Sequence, residues 1–106
     1  MSDPRSTVVV ILKPFRLSQV LEVLRDATLD VVGVHYTEVR GYGRQKGHLD
    51  AYQEETLATE FIPKIRIEFG VGQSKLPLVI ERVSEAAATG RIGDGKIFVF
   101  PPAVST

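Results

Sequence analysis

The sequence has no cysteine, no tryptophan and a single methionine in 106 residues. Without thiols it can form no disulfide framework, thiolate zinc site or cysteine nucleophile. Neither sign of charge is in excess: 13 Lys and Arg balance 13 Asp and Glu, and the formal net charge is zero. Proteins that depend on phosphate-backbone contacts usually carry a basic surplus, so the global charge gives no support to a nucleic-acid partner. No apolar run approaches the roughly 18 residues that a bilayer-spanning helix requires. The opening residues, Met1 to Ser6, are polar and do not read as a signal peptide. The expected compartment is therefore the cytoplasm, without membrane insertion. The only two histidines, His35 and His48, stand apart in the chain, which argues against a zinc site. No Ser-His-Asp set and no carboxylate pair at a useful spacing is visible.

What is present is ordinary globular chemistry, with 43% apolar and 25% charged residues. The length suits one domain over residues 1–106. Thr7 to Leu12 is β-branched and almost wholly apolar, which predicts a strand buried on both faces. Leu17, Val20, Leu21 and Leu24 follow at helical spacing, with Ser18 placed to help start the helix. Val31 to Arg40 and Phe61 to Val71 read as strands, the latter with Pro63 suggesting that its first residues lie beyond the paired sheet. Leu76, Val79, Ile80, Val83 and Ala87 form a second helical stripe with Gly90 as its stop, and Lys96 to Phe100 forms the last strand. The order β-α-β-β-α-β predicts an α+β, ferredoxin-like fold: a four-stranded antiparallel sheet with two helices on one face. The strands also read apolar on the opposite face, and a small domain covers such a face most simply by self-association.

Two segments have the composition of anion sites. Gly41, Gly43 and Gly47 alternate with Arg44, Gln45 and Lys46; exposed amides and cations in such a loop hold phosphate or carboxylate. The same composition also suits a mobile hinge with solvated charges, and the polar stretch runs on to about Glu60. The spacing is not that of the dinucleotide fingerprint, and no helix follows. Gly93-Asp94-Gly95-Lys96 is either a plain tight turn or a turn whose lysine meets a phosphate. His35, inside a strand, reads as a packing or stacking residue. The last strand superficially resembles the aromatic strand of an RNA-recognition motif, but it lacks that motif's glycine-aromatic-glycine core and basic surround.

Taken together, Ile11-Leu12-Lys13-Pro14-Phe15, Thr37 to His48, Phe61 to Glu68 and Thr89 to Phe100 resemble the PII family of trimeric signalling proteins, over about Val8 to Phe100. The resemblance implies a homotrimer with nucleotide sites in the clefts between subunits and a partner-binding T-loop over about residues 42–60. It implies nucleotide contacts at His35, Gly41, Gly43, Arg44, Gln45, Gly70, Ile92, Gly93, Asp94, Gly95 and Lys96. It implies a small-anion site, for 2-oxoglutarate or bicarbonate, at Gly43, Gln45, Lys46, Gly47 and Lys64. Gln45 would be a magnesium ligand where Mg-ATP binds. Tyr52, Glu54, Glu55 and Leu57 would face a protein target such as a membrane transporter.

The departures from the family pattern carry expectations of their own. Leu57 stands where relatives carry a uridylylated tyrosine, and Glu55 where some carry a phosphorylated serine. No covalent switch is therefore expected at the loop tip. The two arginines that clamp ATP in the family are not found after Phe100, which favours ADP or AMP over ATP. These departures lean the reading toward the carboxysome-associated subgroup, with adenine nucleotide and bicarbonate in inorganic-carbon regulation. Nitrogen signalling through ATP, ADP and 2-oxoglutarate is the alternative. A small phosphate-ester or acyl-phosphate hydrolase is the rival of another class, but no residue serves as an obvious base, and a non-enzymatic regulator is expected.

Overall fold

The computed structural model describes residues 3–41, 61–91 and 94–102. Its strands are β1 (Arg5–Leu12), β2 (Val32–Gly41), β3 (Ile62–Gly72) and β4 (Gly95–Phe100). The helices are α1 (Leu17–Leu24), after β1, and α2 (Leu76–Ala87), after β3. The sheet order is β2-β3-β1-β4, and every neighbouring pair is antiparallel. This is the ferredoxin-like arrangement expected from the element order.

Alternation along the strands divides the sheet into two faces. Val8, Val10 and Leu12 of β1 and Ile65, Ile67, Phe69 and Val71 of β3 share the face that meets the helices. There they pack against Val20 and Leu24 of α1 and Val79, Val83 and Ala87 of α2, with Leu29 closing the cluster. Both helices are thus held by one stripe each, at i, i+4 spacing. α1 grows out of a 3₁₀ turn at Pro14–Arg16, so proline and not Ser18 opens it; Ser18 lies inside the helix and its hydroxyl meets Gln19. Asp26 accepts from the Thr28 amide at 2.9 Å and so caps the turn Ala27–Leu29.

Three further expectations are corrected. Pro63 lies inside the ladder, opposite Arg40, because the β2–β3 pairing runs on to Gly41 and Ile62. β1 reaches only as far as Ile65, so no strand on that side misses the proline's absent N–H. α2 ends at Ala87, before Gly90. Gly90, at φ +78°, instead turns the segment that leads away from the helix. The second face of the sheet is mixed and not uniformly apolar. Val9, Phe98 and Phe100 lie on it, but its β3 row is Lys64, Arg66 and Glu68. Arg66 and Glu68 pair at 3.0 Å, and the ring of His35 lies 3.9 Å from the same Glu68 carboxylate.

Candidate anion-binding site at one end of the sheet

β1 ends at Leu12, which faces Ile65 on one side and Gly95 on the other, and β2 ends at Gly41 opposite Ile62. Register alone therefore gathers Lys13, Gly41, Lys64, Asp94, Gly95 and Lys96 at a single end of the sheet. β4 begins in very close contact with β1. A Cβ on Gly95 would overlap the Ile11 carbonyl oxygen, and its φ of +149° lies outside the range that other residues favour.

Asp94 is a heavily bonded side chain at this end. Its carboxylate accepts from the amides of Thr89 at 2.8 Å and Gly90 at 3.0 Å, and from the Thr89 hydroxyl. It also pairs with the Lys13 ammonium at 3.3 Å, which in turn donates to the Thr89 hydroxyl at 3.4 Å. These contacts, the Thr89 hydroxyl first and the Thr89 amide next, hold Asp94 far below the usual carboxylate range. Lys64 is half-buried beside this network. Burial holds its ammonium below the usual lysine value, and the charge of Lys13 adds to the effect, while Asp94 opposes it. Next to it a cavity of about 360 Å³ is lined by Pro14, Glu38, Val39, Arg40, Pro63, Lys64 and Ile65. A second, more apolar cavity of about 370 Å³ runs between α2 and the β1–β4 edge, with Asp94, Gly95 and Lys96 at one side and Ile80 and Ser84 at the other.

The structure brings together only part of the expected site. Gly41, Lys64, Asp94, Gly95 and Lys96 share the end just described. Asp94, however, turns its carboxylate onto the chain itself. His35 is level with Glu68, Val9 and Phe98, while Gly70 is level with Thr7 and Phe100. Lys64 to Gly70 is six steps of strand, on the order of 20 Å. His35 is mostly exposed, and its Nδ1 donates to the Gly33 carbonyl at 3.0 Å. Gly70 sits against Val32 at the β2 edge. Gly43, Arg44, Gln45, Lys46, Gly47, Tyr52, Glu54, Glu55, Leu57, Ile92 and Gly93 lie outside the described residues, as does the proposed T-loop. Sequence reasoning missed Lys13 and Thr89 as members of the cluster. The available signal was a lysine directly after a buried strand, and a Thr-Gly pair four and five residues before an aspartate. Among the described residues no group of three or more His, Asp or Glu side chains is placed to hold a metal ion. No helix among them is long and apolar enough to cross a membrane.

A four-stranded antiparallel sheet with two helices on one face, and lysines and a glycine turn at one end, defines a small ferredoxin-like α+β domain. The chain belongs to the PII family: the model of "Nitrogen regulatory protein P-II" matches residues 5–103. It is 47% identical over 92 residues to nitrogen regulatory protein GlnK of Escherichia coli (strain K12), covering 87% of this chain and 80% of that one. It is 44% identical over 93 residues to nitrogen regulatory protein P-II of Rhizobium etli, covering 88% and 81%. The crystal structure of Arabidopsis thaliana PII bound to citrate matches with a TM-score of 0.69 at 32% identity, covering 94% of this chain and 78% of that one. The protein is accordingly a regulatory signalling protein and not an enzyme.

Proposed function

We propose that this chain, as a single domain, acts as a PII-type sensor in the form of a homotrimer. It binds adenine nucleotide in clefts between copies, takes up a small carboxylate beside it, and signals to a protein target such as a transporter through residues 42–60. One observation carries the reading. Lys13, Lys64, Lys96 and the Gly95 turn gather where that segment joins the sheet, so cations and amides for an anion lie at the base of the signalling loop. His35, Gly41, Gly70, Gly95 and Lys96, with Arg44, Gln45 and residues 92–93, form the nucleotide contacts in this reading, and Asp94, whose carboxylate is turned onto the chain, is not among them. His35 lies on the edge strand opposite the one that carries Lys96, with β3 and β1 between them, and Gly70 is four residues further along than the level of Lys96, which favours a site completed by a neighbouring copy. The small anion goes to Lys64, beside a cavity of about 360 Å³, a size typical of small-molecule pockets. Gln45 supplies a magnesium ligand when the nucleotide is ATP.

Nitrogen signalling through ATP, ADP and 2-oxoglutarate is the first reading. The relatives at 44% and 47% identity are named nitrogen regulatory proteins, and the Arabidopsis relative was crystallised with citrate, another polycarboxylate. The second reading, ADP or AMP with bicarbonate in inorganic-carbon regulation, rests on Glu55 and Leu57 at the loop tip. Calorimetry with ATP, ADP and AMP, each with 2-oxoglutarate or bicarbonate, separates the two. Enhancement of ATP binding by 2-oxoglutarate supports nitrogen sensing, and enhancement by bicarbonate alone supports the second reading. No heat with any of the nucleotides refutes both.

A further inference from the structure

We propose that Asp94 is the positioning residue of this anion site. It ties Lys13 to Thr89 and Gly90, so that the chain enters β4 in one fixed conformation and Lys64 and Lys96 face an incoming anion, while Asp94 itself stays out of contact with it. Its carboxylate links three segments: the Lys13 side chain just after β1, the Thr89 and Gly90 amides after α2, and its own position directly before β4. Gly95 follows directly and admits no side chain against the Ile11 carbonyl. A shift of the Thr89–Asp94 segment therefore moves Lys96 as well. The second effect is electrostatic. Lys13 and Lys64 are close enough to repel, and Asp94 offsets that repulsion by pairing with Lys13. Lys13 and Asp94 are among the charged groups that act on Lys64, and Glu38 and Arg40 line the cavity that Lys64 shares. Losing Asp94 leaves two like charges in the half-buried region where an anion needs a protonated Lys64.

This inference rests on the nucleotide reading above. Asp94→Asn retains an oxygen for the Thr89 and Gly90 amides but loses the charge, and Lys13→Met in the same chain removes the uncompensated cation. The test is calorimetry with ADP at pH 7 and with 2-oxoglutarate in the presence of ATP between pH 7 and pH 10, together with the NMR titration of the Lys64 side chain. In Asp94→Asn, ADP affinity is expected to fall about tenfold, the loss of 2-oxoglutarate binding with rising pH is expected to start at lower pH, and Lys64 is expected to titrate lower than in wild type. Adding Lys13→Met is expected to restore the Lys64 titration, which a purely structural defect would not allow. Unchanged ADP affinity in Asp94→Asn, or an unmoved Lys64 titration, overturns this inference while wild-type binding keeps the nucleotide reading intact. Wild-type protein that binds no nucleotide overturns both together.

Discussion

At the scale of single residues, Gly95 and Asp94 act through different physics. Gly95 is required by space and backbone conformation: any Cβ meets the Ile11 carbonyl oxygen, and φ +149° strains other residues. Gly95→Ala is expected to cost at least about 1–3 kcal/mol, the usual scale of backbone strain before the overlap is relieved. A lower urea midpoint, with β4 amides exchanging faster, is the expected result. Asp94 acts through charge. Its carboxyl is held below the usual value of 3.8, so its contribution to stability is complete above about pH 4 and is lost as pH falls toward the folded-state value. The stability gap between wild type and Asp94→Asn is therefore expected to be widest near neutral pH and to narrow in urea titrations below about pH 4. A gap independent of pH would mean that the charge of Asp94 adds nothing to folding.

At the scale of elements, β3 organises the molecule. It pairs with β2 on one side and β1 on the other, and its alternation supplies both faces: Ile65, Ile67, Phe69 and Val71 to the helices, and Lys64, Arg66 and Glu68 to the opposite side. Phe69 is the largest of the fully buried side chains among the described residues. Phe69→Ala is expected to cost about 3–5 kcal/mol, read as a loss of denaturant midpoint at unchanged slope. The residue types and the period of β3 announced a strand, and its ends differ from the expected ones by a single residue. What the pattern did not convey was that Pro63 is tolerated in the ladder, because that depends on how far β1 extends alongside it. The helix ends differ from those expected for a related reason. Ser18 and Gly90 have the right chemistry for helix ends, but Pro14 nucleates α1 earlier and the Thr89–Gly90 amides are taken by Asp94.

At the scale of the whole molecule, the open face of the sheet bears on assembly. Phe98 and Phe100 are about half exposed there, beside the nearly buried Val9. A trimer that covers this face would bury them. Phe98→Asp is then expected to convert a species of about three times 11.7 kDa into one near 11.7 kDa in sedimentation, and to weaken nucleotide binding with it. A trimer that persists in Phe98→Asp would show that the interface lies elsewhere. The charged row of β3 on the same face sets a constraint: Arg66 and Glu68 satisfy one another at 3.0 Å, so they can enter an interface as a pair.

The sequence by itself determined the element order, the antiparallel α+β class, the core stripes and the family, because period, β-branching and two long motif blocks are local properties of the chain. Gly95 and Lys96 were legible as candidate site residues for the same reason, since a glycine turn followed by a lysine is written in adjacent positions. Only the tertiary structure decided that Lys13, Thr89 and Asp94 form one network beside Lys64. Those residues are up to 81 positions apart, and their meeting depends on the register of β1 against β3 and β4. It also decided that His35 and Lys96 stand on opposite edge strands and that Gly70 lies further along than either, since strand order and register cannot be read until the pairing is known.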